Sequence, residues 1–511
     1  MSDDPESFER LHHRRQYLLG PREAERAPAS FARKGFKHLY LAHHPDLSVS
    51  LAEGELLSVA VLGEILDPLE PTRSNSDIAR ALADNCSSET EIIERTEHLG
   101  GRWVLLIAGP DRTVLLQDCS GFRTAAFTRT SEGTWCASDT SLLAEELGLP
   151  VAEEVTELVR CQYYARDTWL PFHVTAIRDC RQLVANHLLD LDQASMERYW
   201  PRRPRAVMDI KTASERAAKY LRGMVNAAAA RSPLSVSMTA GKDSRIIFAA
   251  TRDVSADCFY YTTYRPGENY RIHADTRIPG MMLKHFGLKH NVINASAPLP
   301  SWLQRVYRAN TTISSLNREG LTNAWWEHLP ANSWRTTGHQ GADNLFQHLN
   351  VPAADHLGAL LPIWNSNNLA RQVTQDWLEE ASSKAREYDH ALSDLFYSEF
   401  RLSRWAAHHQ AQYDLAIESF GPHNCRALLE AMQSVPIEER VSGRLYEEVV
   451  RQLWPQLLDW PINPESKLEF LIRKLKRTRI GNFYSFKVRK RNIDNHHIAG
   501  KPVARTAGDA S

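Results

Sequence analysis

The 511-residue chain has almost no net charge: 61 Lys and Arg stand against 62 Asp and Glu. No overall field draws in a polyanion or a membrane surface, so nucleic acid is not an expected partner and any charge argument has to be local. Long apolar runs are missing as well; none approaches the roughly 20 residues that cross a bilayer, and no membrane partner is expected. The opening residues Met1, Ser2, Asp3 and Asp4 are acidic, where a secretory signal is basic and then apolar. The chain therefore reads as cytoplasmic. Its seven cysteines are an odd number, spread from Cys86 to Cys425 without a C-x-x-C pair, which argues against a disulfide framework and a zinc knuckle alike. Histidine pairs at His12-His13, His408-His409 and His496-His497 have no metal-ligand partners at useful sequence spacing, and no metal is assigned to them. The G-x-x-x-x-G-K-[ST] phosphate loop is also absent.

What is present is an ordinary globular composition, 43% hydrophobic and 24% charged, on a chain long enough for two or three cores. A multi-domain enzyme is the expectation. The stretch 234–245 organises it. Leu234, Val236 and Met238 alternate with Ser235 and Ser237, which is strand periodicity, and Ile246, Ile247 and Phe248 then open a helix. Between them lies Thr239-Ala240-Gly241-Lys242-Asp243-Ser244. A glycine that takes positive φ, followed by the free amides of a helix start, makes a cradle for phosphate. Asp243 beside phosphate calls for a divalent cation between them, and Mg2+ favours that ligand mixture. The loop thus points to Mg-nucleotide.

Along the chain, residues 1–30 are polar and Arg-rich and read as a loosely ordered leader. Short strands follow at 36–42, 56–62, 103–108 and 113–117, interrupted by helices near 78–83 and 92–99, which suggests an α+β domain over 31–205. A helix over 217–230, a strand over 258–264, a helix over 274–286 despite Pro279, and a strand over 291–293 give the doubly wound α/β pattern, whose ligands sit beyond the carboxyl ends of the strands. This second domain is placed at 206–470, with packed helices at 399–410 and 413–420, and a basic tail at 471–511.

The loop at 239–244 resembles the SGGxDS pyrophosphate loop of the asparagine synthetase family, with Gly241, Asp243 and Ser244 matching, Thr239 standing for the first Ser and Ala240 for the first Gly. Gly338-His339-Gln340-Gly341-Ala342-Asp343-Asn344 is similar to the family's S-G-E/Q-G-x-D-E element. Upstream, Gly100-Gly101-Arg102-Trp103, Asp118 to Arg123 and Ala137-Ser138-Asp139 look like the amidotransferase half of those enzymes. Glu418-Ser419-Phe420-Gly421-Pro422-His423 resembles E-x-R-x-P-F, with Phe420 in place of Arg and His423 in place of Phe.

The resemblance implies an amidotransferase-like α+β sandwich followed by a doubly wound α/β synthetase domain that cleaves ATP to AMP and pyrophosphate. It implies ATP contacts from Met238, Thr239, Gly241, Asp243, Ser244, Thr262, Gly338 and His339, Mg2+ held by Asp243 and Asp343, and catalytic roles for Glu418 as base and Lys467 at the phosphates. Glutamine-hydrolysing members carry an N-terminal cysteine, whereas residue 2 here is Ser and no cysteine precedes Cys86, so no glutaminase activity is expected. The implied reaction joins a small-molecule or peptide carboxylate to an amine through an acyl-adenylate, as in β-lactam synthetases and lasso-peptide cyclases. Asparagine synthesis itself is one alternative, and a nucleotide-binding scaffold with a decayed site is another.

Overall fold

A computed structural model describes residues 5–160, 170–265, 272–315, 318–338, 367–464 and 496–498. The N-terminal part is built on two six-stranded antiparallel sheets. The first runs β10 (Arg181–Gln182), β8 (Ala126–Arg129), β9 (Thr134–Ala137), β1 (Tyr17–Gly20), β3 (Leu39–His43), β2 (Ala32–Phe36). The second runs β12 (Ser195–Arg198), β11 (His187–Asp190), β7 (Thr113–Gln117), β6 (Gly100–Ala108), β5 (Ser58–Leu66), β4 (Val49–Glu53).

Period-two alternation sorts the side chains of the second sheet between two cores. Ala60 and Leu62 of β5 and Val104 and Leu106 of β6 meet Tyr17, Leu19 and Leu41 of the first sheet, forming the centre of the sandwich. Their neighbours Val59, Val61, Leu105 and Ile107 face outward onto Ile78 and Leu82 of α2 (Asn75–Asn85) and Ile92 and Ile93 of α3 (Glu89–Thr96). On the far side, Leu142 and Leu143 of α4 (Thr140–Leu147) cover Leu18, Ala126 and Trp135. The layers are helix, sheet, sheet, helix.

The C-terminal part carries a five-stranded parallel sheet in the order β15 (His290–Asn294), β14 (Phe259–Tyr264), β13 (Leu234–Ser237), β17 (Trp334–Thr336), β18 (Glu418–Phe420). On one face, α6 (Ile210–Ala229), α7 (Lys242–Ala250) and the helix Arg444–Leu453 bury Leu221, Met224, Ile246, Phe248 and Val449 against Leu234 and Val236. On the other face, Trp325 of α10 (Glu319–His328) packs on Tyr261 and Ile293. The mixed α/β class expected from the sequence is what forms. Because the chain winds outward from β13 through β14 to β15 and then places β17 and β18 on the other side, the carboxyl ends of β13 and β17 flank the point where strand order reverses.

Three local readings are corrected. The stretch expected to be a loose leader holds α1 (Pro5–Leu11) and β1; Leu11 packs on Leu303 and Val306 of α9 (Ser301–Ala309), and β1 is paired on both sides, by β3 and β9. Four successive residues buried on both faces leave no alternation to read. Residues 36–42 are not one strand, since β2 ends at Phe36, Lys37 turns at φ 54 and β3 starts at Leu39. The helix expected over 413–420 is a turn followed by β18, whose three residues add to the parallel sheet beside β17; tertiary pairing overrides local propensity there.

Candidate functional site

The loop 239–244 leaves the carboxyl end of β13, the middle strand of the parallel sheet, and runs directly into α7. Its shape is held by one hydroxyl: Ser244 Oγ donates to the carbonyl of Thr239 (2.9 Å) and accepts from the amide of Thr239 (3.1 Å). Thr239 Oγ1 lies 2.9 Å from Ser244 Oγ and accepts from Gly241 N at 3.1 Å. Gly241 caps α7 in an extended conformation, φ −78°, with no side chain bonded to the helix end. The first-turn amides and the helix dipole therefore face the open side of the loop, which favours an anion. Positive φ, expected of Gly241, is not what it supplies; its lack of a side chain keeps the loop surface low, since a Cβ would stand 3.2 Å from Thr239 Oγ1. Ala240 is buried, so its methyl is covered by protein and does not project into the mouth.

Neighbouring segments converge on the loop. Gly338, just after β17, comes so close to Asp243 that a Cβ there would sit 3.1 Å from the Asp243 Cβ. The chain leaving β17 therefore comes up against the first turn of α7. Asp275 of α8 (Ile272–His285) accepts from the Ala240 amide at 3.0 Å. This carboxylate was not singled out in the sequence, and its place five residues before Gly280 in an ordinary helical pattern gave no signal. Arg245, wholly buried, donates to the carbonyls of Leu457 (2.8 Å), Trp460 (3.0 Å) and Pro461 (2.9 Å). Burial lowers its pKa to about 10, and the guanidinium remains charged. It draws the segment after the helix Arg444–Leu453 over the loop, where Asn463 N donates to Ala240 O at 2.9 Å.

Two of the residues expected at ATP, Met238 and Thr262, are engaged in hydrogen bonds within the sheet. Met238 is fully buried, with its amide on Tyr261 O (2.7 Å) and its carbonyl accepting from Thr262 Oγ1 (2.7 Å). The Thr262 hydroxyl also lies 2.8 Å from His290 Nε2, so it too braces the strand end. Thr239, Gly241, Asp243, Ser244 and Gly338 are brought together. His339, Asp343 and Lys467 lie outside the described residues, as do Gln340, Gly341 and Asn344.

Glu418 is not at this site. It pairs with Trp334 at the start of β17, the amino end of the sheet, whereas the loop sits at the carboxyl end. There Arg123 Nη2 (2.6 Å), Arg102 Nη1 (3.2 Å) and Arg15 Nε (3.4 Å) surround its carboxylate. Burial alone would raise its pKa, but Arg123, Arg102 and Arg15 outweigh it and hold the group below the usual glutamate range. That is the wrong direction for a base working near neutrality. The motif match was one of residue types; it carried no information about which end of the strand the glutamate occupies. A cavity of about 190 Å³ adjoins this cluster, lined by Arg15, Arg123, Glu64 and Asp46 among others.

The amidotransferase-like motifs meet the same boundary. Asp118 accepts from the amides of Phe122 and Arg123 (both 2.9 Å) and from Asn424 Nδ2 (2.8 Å), closing its own turn onto the second domain. Arg102 and Arg123 then reach across to Asp414 and Glu418. These residues serve the junction between the two domains.

No family model matches the chain, and no curated protein does. Among solved structures it is similar to the allosteric regulatory enzyme of purine biosynthesis (12% identity, 60% of this chain and 74% of that one, TM-score 0.25). It is also similar to the glutamine phosphoribosylpyrophosphate amidotransferase from B. subtilis complexed with ADP and GMP (13% identity, 55% of this chain and 61% of that one, TM-score 0.20). Likenesses this remote carry no argument about activity.

Proposed function

We propose that the protein is an ATP-dependent, AMP-forming ligase that makes an amide bond through an acyl-adenylate and does not hydrolyse glutamine. The observation supporting this reading is the loop at the carboxyl end of β13, stapled by Thr239 and Ser244, opening onto the N-terminus of α7 with Asp243 in its first turn and Gly338 against it. A substrate carboxylate oxygen attacks the α-phosphorus, the bond to the β-phosphate oxygen breaks, and pyrophosphate leaves. An amine nitrogen then attacks the acyl carbon, and AMP departs with the bonding electrons. The α7 amides stabilise charge gathering on the leaving pyrophosphate, where one preorganised donor is worth about 3 kcal/mol.

Asp243 and Asp275 are the carboxylates beside the loop that suit Mg2+, a hard cation that takes carboxylate together with phosphate oxygens. When bound, the ion supplies neutralisation of phosphate charge. The chain's own contribution is to hold the loop in shape and to keep its mouth free of side chains at Gly241 and Gly338.

Exchange of radiolabelled pyrophosphate into ATP, run with a panel of carboxylic acids on the wild type and Asp243→Ala, tests the reading; an acid-dependent exchange lost in the variant supports it. A nucleotide-binding scaffold is the second reading, favoured by the Asp275 carboxylate standing on the Ala240 amide where an anion would dock. Binding of ATP without exchange for any acid would select the scaffold.

A further inference from the structure

His12 and His13 follow the last residue of α1, and the fold brings Glu145 of α4 to them from 132 positions away. Their ligand-capable atoms all lie within 4.8 Å of one another. His13 is wholly buried, and its Nε2 stands 3.2 Å and 3.3 Å from the two Glu145 oxygens.

The hydrogen bonds around His13 fix which of its nitrogens carries the lone pair. Gln16 donates its side-chain NH2 to the carbonyl of Asn310, so its Oε1 is the atom turned to His13 Nδ1, 3.2 Å away. An oxygen there requires Nδ1 to bear the proton. In the neutral ring, Nε2 then presents a lone pair to the lone pairs of a carboxylate. A proton on Nε2 relieves the conflict, and so does a cation between the two groups. Two ligand atoms about 2.0 Å from a tetrahedral zinc ion are about 3.3 Å apart, the separation of His13 Nε2 from the Glu145 oxygens, and the His12 ligand atom lies within 4.8 Å of both groups. A ring whose second nitrogen is held by an outer hydrogen bond is also the usual state of a metal-bound histidine.

The backbone is committed to this arrangement. His13 adopts φ +52°, in the left-handed region, and is held there by its amide, which donates to Asn310 Oδ1 at 2.8 Å, while Asn310 Nδ2 donates to Leu11 O at 3.0 Å. The turn that results sets the His12 ring against the His13 ring, with centroids 4.0 Å apart and planes tilted by 34°. His12 is half-buried and Glu145 reaches solvent, so the cluster is open to an ion on one side.

We propose that His12, His13 and Glu145 form a binding site for a divalent transition-metal ion of the zinc class, with water completing the coordination. Two imidazoles and one carboxylate suit zinc and its neighbours and disfavour Mg2+, which prefers oxygen alone. The ion ties the turn after α1 to α4, next to Asn310 of the second domain, and is separate from the nucleotide loop.

The test uses the full chain freed of metal by chelation and dialysis, titrated with Zn2+ by calorimetry, beside His12→Ala and Glu145→Gln, both substituted at side chains that reach the surface. One equivalent bound by the wild type, with affinity at least tenfold weaker in each variant and a zinc-dependent rise in Tm in the wild type only, is expected. Co2+ in place of zinc should give the visible absorption of a tetrahedral site in the wild type. The proposal is overturned if the wild type binds no stoichiometric zinc, or if both variants bind as it does. Should a variant fail to fold, a wild-type cobalt spectrum without tetrahedral bands overturns it alone. In that event His13 and Glu145 form an ion pair between a protonated ring and a carboxylate.

Discussion

Arg102 of the sandwich grips Asp414 of the second domain with both terminal nitrogens, Nη2 to Oδ2 at 2.8 Å, and neither side chain is more than 4% exposed. Removing one partner of such a pair strands the other charge in the interior. Arg102→Met is expected to cost about 3–5 kcal/mol, read as a lower urea midpoint. A loss below about 1 kcal/mol, the range of exposed pairs, would show that the junction does not depend on this contact.

Glu418 shares that cluster, and its placement separates stability from turnover. Glu418→Gln should lower stability by about 1–3 kcal/mol, the cost of leaving charged hydrogen-bond partners unsatisfied. Acid-dependent pyrophosphate exchange should stay within about twofold of wild type once the protein is folded. An unchanged stability with abolished amide formation would return Glu418 to the reaction.

Substitutions in the loop should divide by the direction each side chain takes. Asp243→Ala is expected to slow exchange by at least about a hundredfold, the scale of one lost electrostatic contribution at a reacting phosphate. Ala240→Gly should leave exchange within about threefold, because the deleted methyl is buried away from the mouth. It should cost about 0.5–1 kcal/mol in backbone entropy, measured by thermal unfolding.

His423 is fully buried, and neither ring nitrogen has a hydrogen-bond partner among the described residues. Burial pushes its pKa down from 6.5 to about 4. The unfolded chain therefore binds the extra proton between those values, and the residue's contribution to stability falls as pH drops from 6.5 to about 4, then levels off. The total loss is roughly 3 kcal/mol. His423→Phe should be more stable by about 1–2 kcal/mol at pH 7 and should lose less on acidification; urea unfolding at neutral and acid pH measures both.

Glutamine should yield no glutamate. The thiols of Cys119, Cys136, Cys180 and Cys425 are pushed up to about 12 by burial, and these side chains are protonated at neutral pH. Glutamate released from glutamine by the purified protein, measured by coupled dehydrogenase assay, would contradict this.

The strand, loop and helix over 234–250 were legible because local rules act within one short stretch: Leu234, Val236 and Met238 alternate, and the helical pattern of Ile246 to Phe248 follows at once. The same holds for β7, whose bounds at Thr113–Gln117 match the short apolar segment read there. What sequence could not reveal depends on contacts between distant residues. Arg102 and Asp414 are 312 positions apart, and nothing near either one announces the other. Asp275 looked like any helix acid until the chain returned it to the Ala240 amide. His12 and His13 lacked a third ligand in sequence because Glu145 arrives only through the packing of α4. Glu418 shows the converse: matched to a motif by residue type and expected in a helix, it lies at the amino end of β18, away from the loop.

The interior position of β1 also sets the order in which this protein can be assembled as it is made. Leu18 and Leu19 find Ala42 and Leu41 early, but their other partners are Ala137 and Cys136, more than a hundred residues later. At translation rates of roughly 5–20 residues per second, the first strand waits on the order of ten seconds with one edge open. An open edge of consecutive apolar residues invites pairing with another chain, so a newly made copy is most prone to aggregate in that interval, before β9 closes the sheet.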